Sequence, residues 1–242
     1  MTTKMWSTYG ERLLLSRERI ITAGYLYTHA GTTYYGCLRY NCEEDCMADL
    51  DDIYGAHRPE MERVLDRLVT RIEHLREELT RQRNMDPVEH ILTRIKSDAS
   101  MREKLRRRGL PETTEAALNE LHDAIGIRIV CGFLSDVYAM RDWIAEDPEV
   151  EVLEERDYIR HAKPNGYRSY HMILRSKEGY HAEIQLRTIS MDTWAALEHH
   201  LKYKKEFVGN QRLIVNELKR CADELASTDV SMQTIRDAIM GE

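Results

Sequence analysis

From Glu60 to Arg83 the apolar residues Met61, Leu65, Leu68, Ile72, Leu75 and Leu79 recur at alternating steps of four and three, the seam of an amphipathic helix that ends near Asn84 and Pro87. So regular a seam packs either on the rest of its own domain or on a second subunit; with only about three heptads present, the internal packing is favoured. A basic run follows, Arg94, Lys96, Arg102, Lys104, Arg106, Arg107 and Arg108, stopped by Gly109 and Pro111 and read as a helix with a solvated face. The pattern then changes. Ile125 to Phe133 (IGIRIVCGF) is short, β-branched and bounded by polar sequence, which predicts a buried strand, and Val150 to Glu154 predicts another. Ser169 to Leu174 and Tyr180 to Arg187 flank Lys177-Glu178-Gly179 as a hairpin with a tight turn. Helical spacing fills Asp136 to Glu146, returns with Met191, Trp194, Ala195 and Leu201, and recurs with Ile214, Leu218, Cys221 and Leu225. The predicted class is α/β (α+β), a mixed β-sheet of about four to five strands flanked by helices. No repeat or low-complexity tract interrupts it.

Composition narrows the class. With 242 residues, 42% of them apolar and 32% charged, the chain can bury the core of one domain or two. No stretch approaches the roughly 18 consecutive apolar residues of a membrane span, and the first residues lack the order of a signal peptide, so a cytoplasmic location with no membrane partner is expected. The net charge of -7 argues against a protein that coats nucleic acid by bulk electrostatics, while leaving room for local basic patches that grip phosphates. Five cysteines in a reducing compartment predict no structural disulfide. The group Cys37, Cys42 and Cys46, with His29 or His57 as further ligands, lacks Cys-x-x-Cys spacing, and zinc is not expected there.

Chemistry concentrates on the strands. Strand parity puts Glu183, Gln185 and Arg187 on one face and Ile184 and Leu186 on the other. Such an alternation is commonly just the solvent side of a half-buried sheet. Arg128, however, is a cation inside an otherwise apolar strand, expensive to bury unless paired, and Asp123 lies just before that strand. Carboxylates at Asp123 and Glu183, if adjacent strands bring them together, make a hard oxygen site suited to Mg²⁺ with substrate phosphates. In Lys163-Pro-Asn-Gly-Tyr-Arg-Ser-Tyr-His171, a turn presents Tyr167 either to stack on a base or to pack on the sheet, with Lys163, Arg168 and His171 in reach of phosphate or ribose. Glu198 projects from the apolar stripe of its helix, where it either finds a partner or reaches water at the edge.

These residues resemble the RelA/SpoT synthetase domains, and specifically the small alarmone synthetases. The resemblance runs through RIKSDASMREK (94 to 104), HDAIGIRIVCGF (122 to 133), RDYIRHAKPNGYRSYHMIL (156 to 174), AEIQLRT (182 to 188) and MDTWAALEHHLKYK (191 to 204), covering roughly residues 60 to 225 in order. It implies a nucleotidyltransferase-like synthetase domain over 47–208, an N-terminal extension of unknown role over 1–46 and a C-terminal helical segment over 209–242. It implies transfer of pyrophosphate from ATP to the 3′-hydroxyl of GDP or GTP, with Mg²⁺ as cofactor. Arg94, Lys96, Lys104 and Arg128 would then bind ATP. Lys163, Tyr167, His171, Gln185 and Arg187 would bind the GDP or GTP acceptor. Asp123 would hold Mg²⁺, and Glu183 would be the second carboxylate, either ligating Mg²⁺ or taking the proton from the 3′-hydroxyl. The resemblance also implies a homo-oligomer, a tetramer in some relatives, with alarmone or single-stranded RNA as effector, and no alarmone hydrolysis. The family's usual Asp-Ile-Ala-Gly reads Asp123-Ala124-Ile125-Gly126, and the short turn at Lys177 leaves the acceptor preference open. Rival readings are a toxic relative that makes adenosine alarmones or pyrophosphorylates tRNA, and a non-catalytic sensor of guanine nucleotides or RNA. Met47 would serve as a natural alternative start, which mass spectrometry of the native N-terminus checks.

Overall fold

The structure is a computed structural model that describes residues 24–29, 32–37, 52–203 and 211–241. The chain divides into two compact units, Met1–Met47 and Ala48–Glu242. In the first, β1 (Gly24–His29) and β2 (Thr32–Cys37) pair antiparallel as a hairpin, Gly24 opposite Cys37 and His29 opposite Thr32. The side chains of Cys37, Cys42, Cys46 and His29 lie outside the described residues, so the zinc expectation there goes no further. Cys131 and Cys221 are free thiols.

The second unit carries α1 (Arg58–Arg83), β3 (Val88–Ile95), α2 (Asp98–Arg108), α3 (Thr114–Asn119), β4 (Ile125–Cys131), α4 (Leu134–Glu146), β5 (Val150–Asp157), β6 (Tyr170–Ser176), β7 (His181–Thr188), α5 (Ile189–Tyr203) and α6 (Gln211–Met240). The five strands form one mixed sheet in the order β3-β4-β7-β6-β5, antiparallel except for the central parallel pair β4 and β7. The central position of that pair follows from composition: Ile125, Ile127 and Ile129 alternate with Ala182, Ile184 and Leu186 across it, and all are buried. They join Met172 and Leu174 of β6, the stripe Met61, Leu65, Leu68 and Ile72 of α1, and Val137, Met140 and Ile144 of α4 in one core. The heptad-like seam of α1 is therefore consumed inside its own domain, as its shortness favoured.

The basic run is two elements, not one helix. Arg94 sits on the edge strand β3, and only Asp98–Arg108 is helical. Val88, Ile91 and Ile95 of β3 touch the core while most of its positions face out, which is why it carries so much polar sequence. Ser97 then caps α2, its hydroxyl accepting the Ser100 amide. Leu201 is exposed on α5, and the expected stripe of α6 holds at Ile214, Leu218 and Leu225, which are half-buried, but not at Cys221, which faces out beside the buried Ala222. Among the described residues, no helix is long and apolar enough to cross a membrane.

Candidate active site

Because side chains across a sheet share a face row by row, the register of the strands assembles the site. Gly126 of β4 lies opposite Arg94 on one side and Glu183 on the other. In the next row Arg128 stands between Leu92 and Gln185, and Gln185 is flanked in turn by His171. Leu92, Arg94, Gly126, Arg128, Glu183 and Gln185 line a cavity of about 190 Å³ on this face, opposite the apolar core. Gly126 leaves room in it, since a Cβ there would meet Arg94 Cγ at 3.4 Å.

Glu183 lines the cavity, and the charge of a second carboxylate, Asp123, acts on it. Asp123, just before β4, is mostly buried, and Lys96 and Lys104 approach its Oδ2 at 2.8 and 2.6 Å. Burial pushes its pKa up, but the hydrogen bonds from Lys104 and Lys96 outweigh it and hold the carboxyl below its ordinary range. Its second oxygen, Oδ1, is buried without a hydrogen-bond partner. Glu183 is likewise pushed up by burial and, against that, held below its ordinary value of 4.5 by His171 and Gln185; the negative charge of Asp123 opposes this lowering, so the two carboxylates feel each other. Among the described residues no group of three or more His, Cys, Asp or Glu side chains could hold a metal alone. The unclaimed buried oxygen of Asp123, with the Glu183 carboxylate close enough for their charges to interact, fits an ion such as Mg²⁺ that keeps most of its coordination for water and substrate phosphate.

On the other side of Glu183 a hydrogen-bonded ring closes. Arg187 donates to Tyr167 Oη at 2.8 Å and to Gln185 Oε1 at 2.9 Å. Tyr167 Oη meets His171 Nε2 at 2.8 Å, His171 Nδ1 meets Glu183 Oε1 at 3.1 Å, and Gln185 Nε2 donates to Glu183 Oε2 at 2.9 Å. With the His171 proton on Nδ1, every donor in the ring has an acceptor, and both arms run from the buried guanidinium of Arg187 to the carboxylate of Glu183. Lys163 Nζ lies over the Tyr158 ring at 4.4 Å and the Tyr167 ring at 4.8 Å.

The structure brings the expected residues into two groups that meet at Glu183. Arg94 and Arg128 line the cavity, Lys96 and Lys104 are held on Asp123, and Lys163, Tyr167, His171, Gln185 and Arg187 surround the ring. Sequence reasoning missed Asp192 of α5, whose Oδ1 accepts from Arg187 at 3.0 Å and Arg128 at 3.2 Å. It pairs the half-buried strand cation, whose Nε keeps no hydrogen-bond partner, and burial and the nearby charge of Arg187 still lower the pKa of Arg128. An acid in a first helical turn is an ordinary cap signal, so nothing in the spacing marked its partners. Tyr158 was missed too. Glu198 is buried and accepts from Asn165 at 3.1 Å.

Paired carboxylates beside fixed cations on one sheet face belong to an enzyme that handles phosphates. The family model described as "Region found in RelA / SpoT proteins" matches residues 93–207. GTP pyrophosphokinase YwaC of Bacillus subtilis (strain 168) is 35% identical over 184 residues, which is 72% of this chain and 86% of that protein. The crystal structure of small alarmone synthetase 1 from Bacillus subtilis bound to its product pppGpp superposes with a TM-score of 0.65 at 28% identity, over 74% of this chain and 94% of that one. The same synthetase bound to AMPCPP gives 0.60 at 25% identity, over 75% and 95%. The chain belongs to the RelA/SpoT family.

Proposed function

We propose that this protein is a cytoplasmic GTP pyrophosphokinase that transfers the β,γ-pyrophosphate of ATP to the 3′-hydroxyl of GDP or GTP, forming ppGpp or pppGpp and releasing AMP. The observation that carries the reading is the place of Glu183, opposite Gly126 in the row of Arg94 and joined through His171 to Tyr167. A carboxylate there lies between a basic cavity suited to the donor's phosphates and an aromatic side suited to the acceptor's base. The relative bound to pppGpp, and its complex with AMPCPP, an analogue of ATP, support both halves.

In this reading Arg94 and Arg128 hold the donor triphosphate, and Lys96 and Lys104 turn from Asp123 to its oxygens. Tyr167 stacks on guanine, Lys163 meets the acceptor's phosphates, and Gln185 orients the ribose. Glu183 takes the proton as the 3′-oxygen attacks the β-phosphorus and the bond from that phosphorus to the AMP oxygen breaks. Arg187 and Asp192 fix the ring so that these groups need no rearrangement during the step. Asp123 and Glu183 would hold Mg²⁺, which when bound neutralises charge on the transferring phosphates. Arg102 and Arg106 pair with Asp98 and Glu112, which counts against a tRNA-binding role for α2.

The test is to incubate the protein with ATP labelled at its γ-phosphate, Mg²⁺ and either GDP or GTP, beside Glu183→Gln. Label is expected in ppGpp or pppGpp with the wild type, and loss of the proton acceptor should lower kcat by about 10²–10⁴-fold. Transfer to neither nucleotide would sink the proposal.

A further inference from the structure

The loop that presents Tyr167 is held mainly by α6, a helix outside the stretch matched by the family model. Gly166 has φ +93, and a Cβ on it would lie 2.6 Å from Ala222 Cβ and 3.1 Å from Lys219 Cα, so the loop backbone rests directly on the helix. Two residues on, Arg168 donates to Asp223 at 2.8 Å and to the carbonyl of Gly166 at 3.1 Å. The helix is in turn pinned to α5, whose Trp194 indole donates to the Leu218 carbonyl at 2.9 Å, and to the end of β7, where Thr188 donates to the buried carboxylate of Asp229 at 2.6 Å. Asn165, on the other side of the loop, is held by Glu198 of α5. The loop is thereby clamped between two helices, and the residue its clamped neighbours Gly166 and Arg168 enclose is Tyr167.

We propose that Ala222 and Asp223 of α6 are positioning residues for the acceptor nucleotide, setting the height and direction of Tyr167. This rests on the reading of Tyr167 as the acceptor's stacking partner. The small side chain at 222 sets how closely the helix approaches Gly166, and the Asp223 carboxylate fixes the far end of the turn through Arg168. A displaced α6 loosens the acceptor side alone, because Arg94 and Arg128 stand on β3 and β4, Lys104 on α2 and Lys96 between β3 and α2, and the carboxylates that Lys96, Lys104 and Arg128 pair with, Asp123 and Asp192, lie outside α6.

The experiment measures KM for each substrate, kcat, and hydrogen exchange of the amides of residues 165–168 without ligand, for wild type, Ala222→Leu, Ala222→Ser, Asp223→Ala and Tyr167→Ala. Ala222→Leu is expected to speed exchange in the loop and raise the acceptor KM about tenfold, with the ATP KM within about twofold of wild type. Ala222→Ser, close in size, should behave as wild type. Asp223→Ala, at a half-exposed site, should shift the acceptor KM the same way by no more than about fivefold, so the idea stands or falls even if the leucine variant does not fold. Unchanged loop exchange, or equal rises in both KM values, would overturn it. Faster exchange with an unchanged acceptor KM also overturns it, and the Tyr167→Ala arm then separates the causes. A raised acceptor KM in that variant leaves the functional reading standing, whereas an unchanged one takes the reading down as well.

Discussion

At the residue scale, the ionisation of Glu183 is a contest between burial and its neighbours. Burial alone would raise the carboxyl's pKa; His171, and behind it Gln185, reverse that, and the pKa lies below the ordinary 4.5. A base must be ionised to work, so in the role proposed for Glu183 activity is lost as pH falls through that lowered value. In His171→Ala the opposing hydrogen bond is gone while burial remains, and the acid limb of kcat/KM is expected to move to higher pH. A pH profile of wild type and variant checks this; superimposable acid limbs would refute it. Much of this cluster was legible in the chain, because parity alone puts Glu183, Gln185 and Arg187 on one face. What parity cannot supply is the third dimension. Asp192 reaches Arg128 across 64 positions and Arg187 across five, and neither separation is a helical or strand period.

At the element scale, the legible parts were those whose environment is uniform along their length. β4 is buried on nearly every position, so its β-branched run announces a strand; α1 buries one stripe, so its period shows. β3 is an edge strand with one buried end and charged residues on its open side, and charge read as a solvated helix face. α6 was legible as a helix, but its buried positions include Asp229 and Arg236 beside Ala222, so hydrophobicity marks its inner face only in part. The weight on β4 is testable. Ile127 is 1% exposed in the core that β4 shares with α1 and α4, and Ile127→Ala should cost about 2–5 kcal/mol in a denaturant titration.

At the scale of the whole molecule, the helices that cover the sheet are joined by buried charge. Asp136 at the start of α4 is 1% exposed and accepts from Arg83 at 2.9 Å and Arg236 at 2.8 Å, tying the ends of α1 and α6 to one carboxylate. Removing it leaves the nearly buried guanidinium of Arg236 without its countercharge. Asp136→Ala is therefore expected to destabilise by about 3–5 kcal/mol, read as a lowered denaturation midpoint, and a loss below about 1 kcal/mol would show that the ion pair is immaterial.

The parallel pairing of β4 with β7 has a consequence for how the protein is made. Asp123 leads into β4, but its partner carboxylate waits on a strand that begins at His181, with α4, β5 and β6 laid down in between. Contacts so distant along the chain form late, after the local hairpins and helices. A growing polypeptide on the ribosome thus carries Asp123 without Glu183 while 60 further residues are added, from 123 to 183 of 242. It stays silent until β7 has emerged and slotted in beside β4, so the signal begins only with a finished sheet.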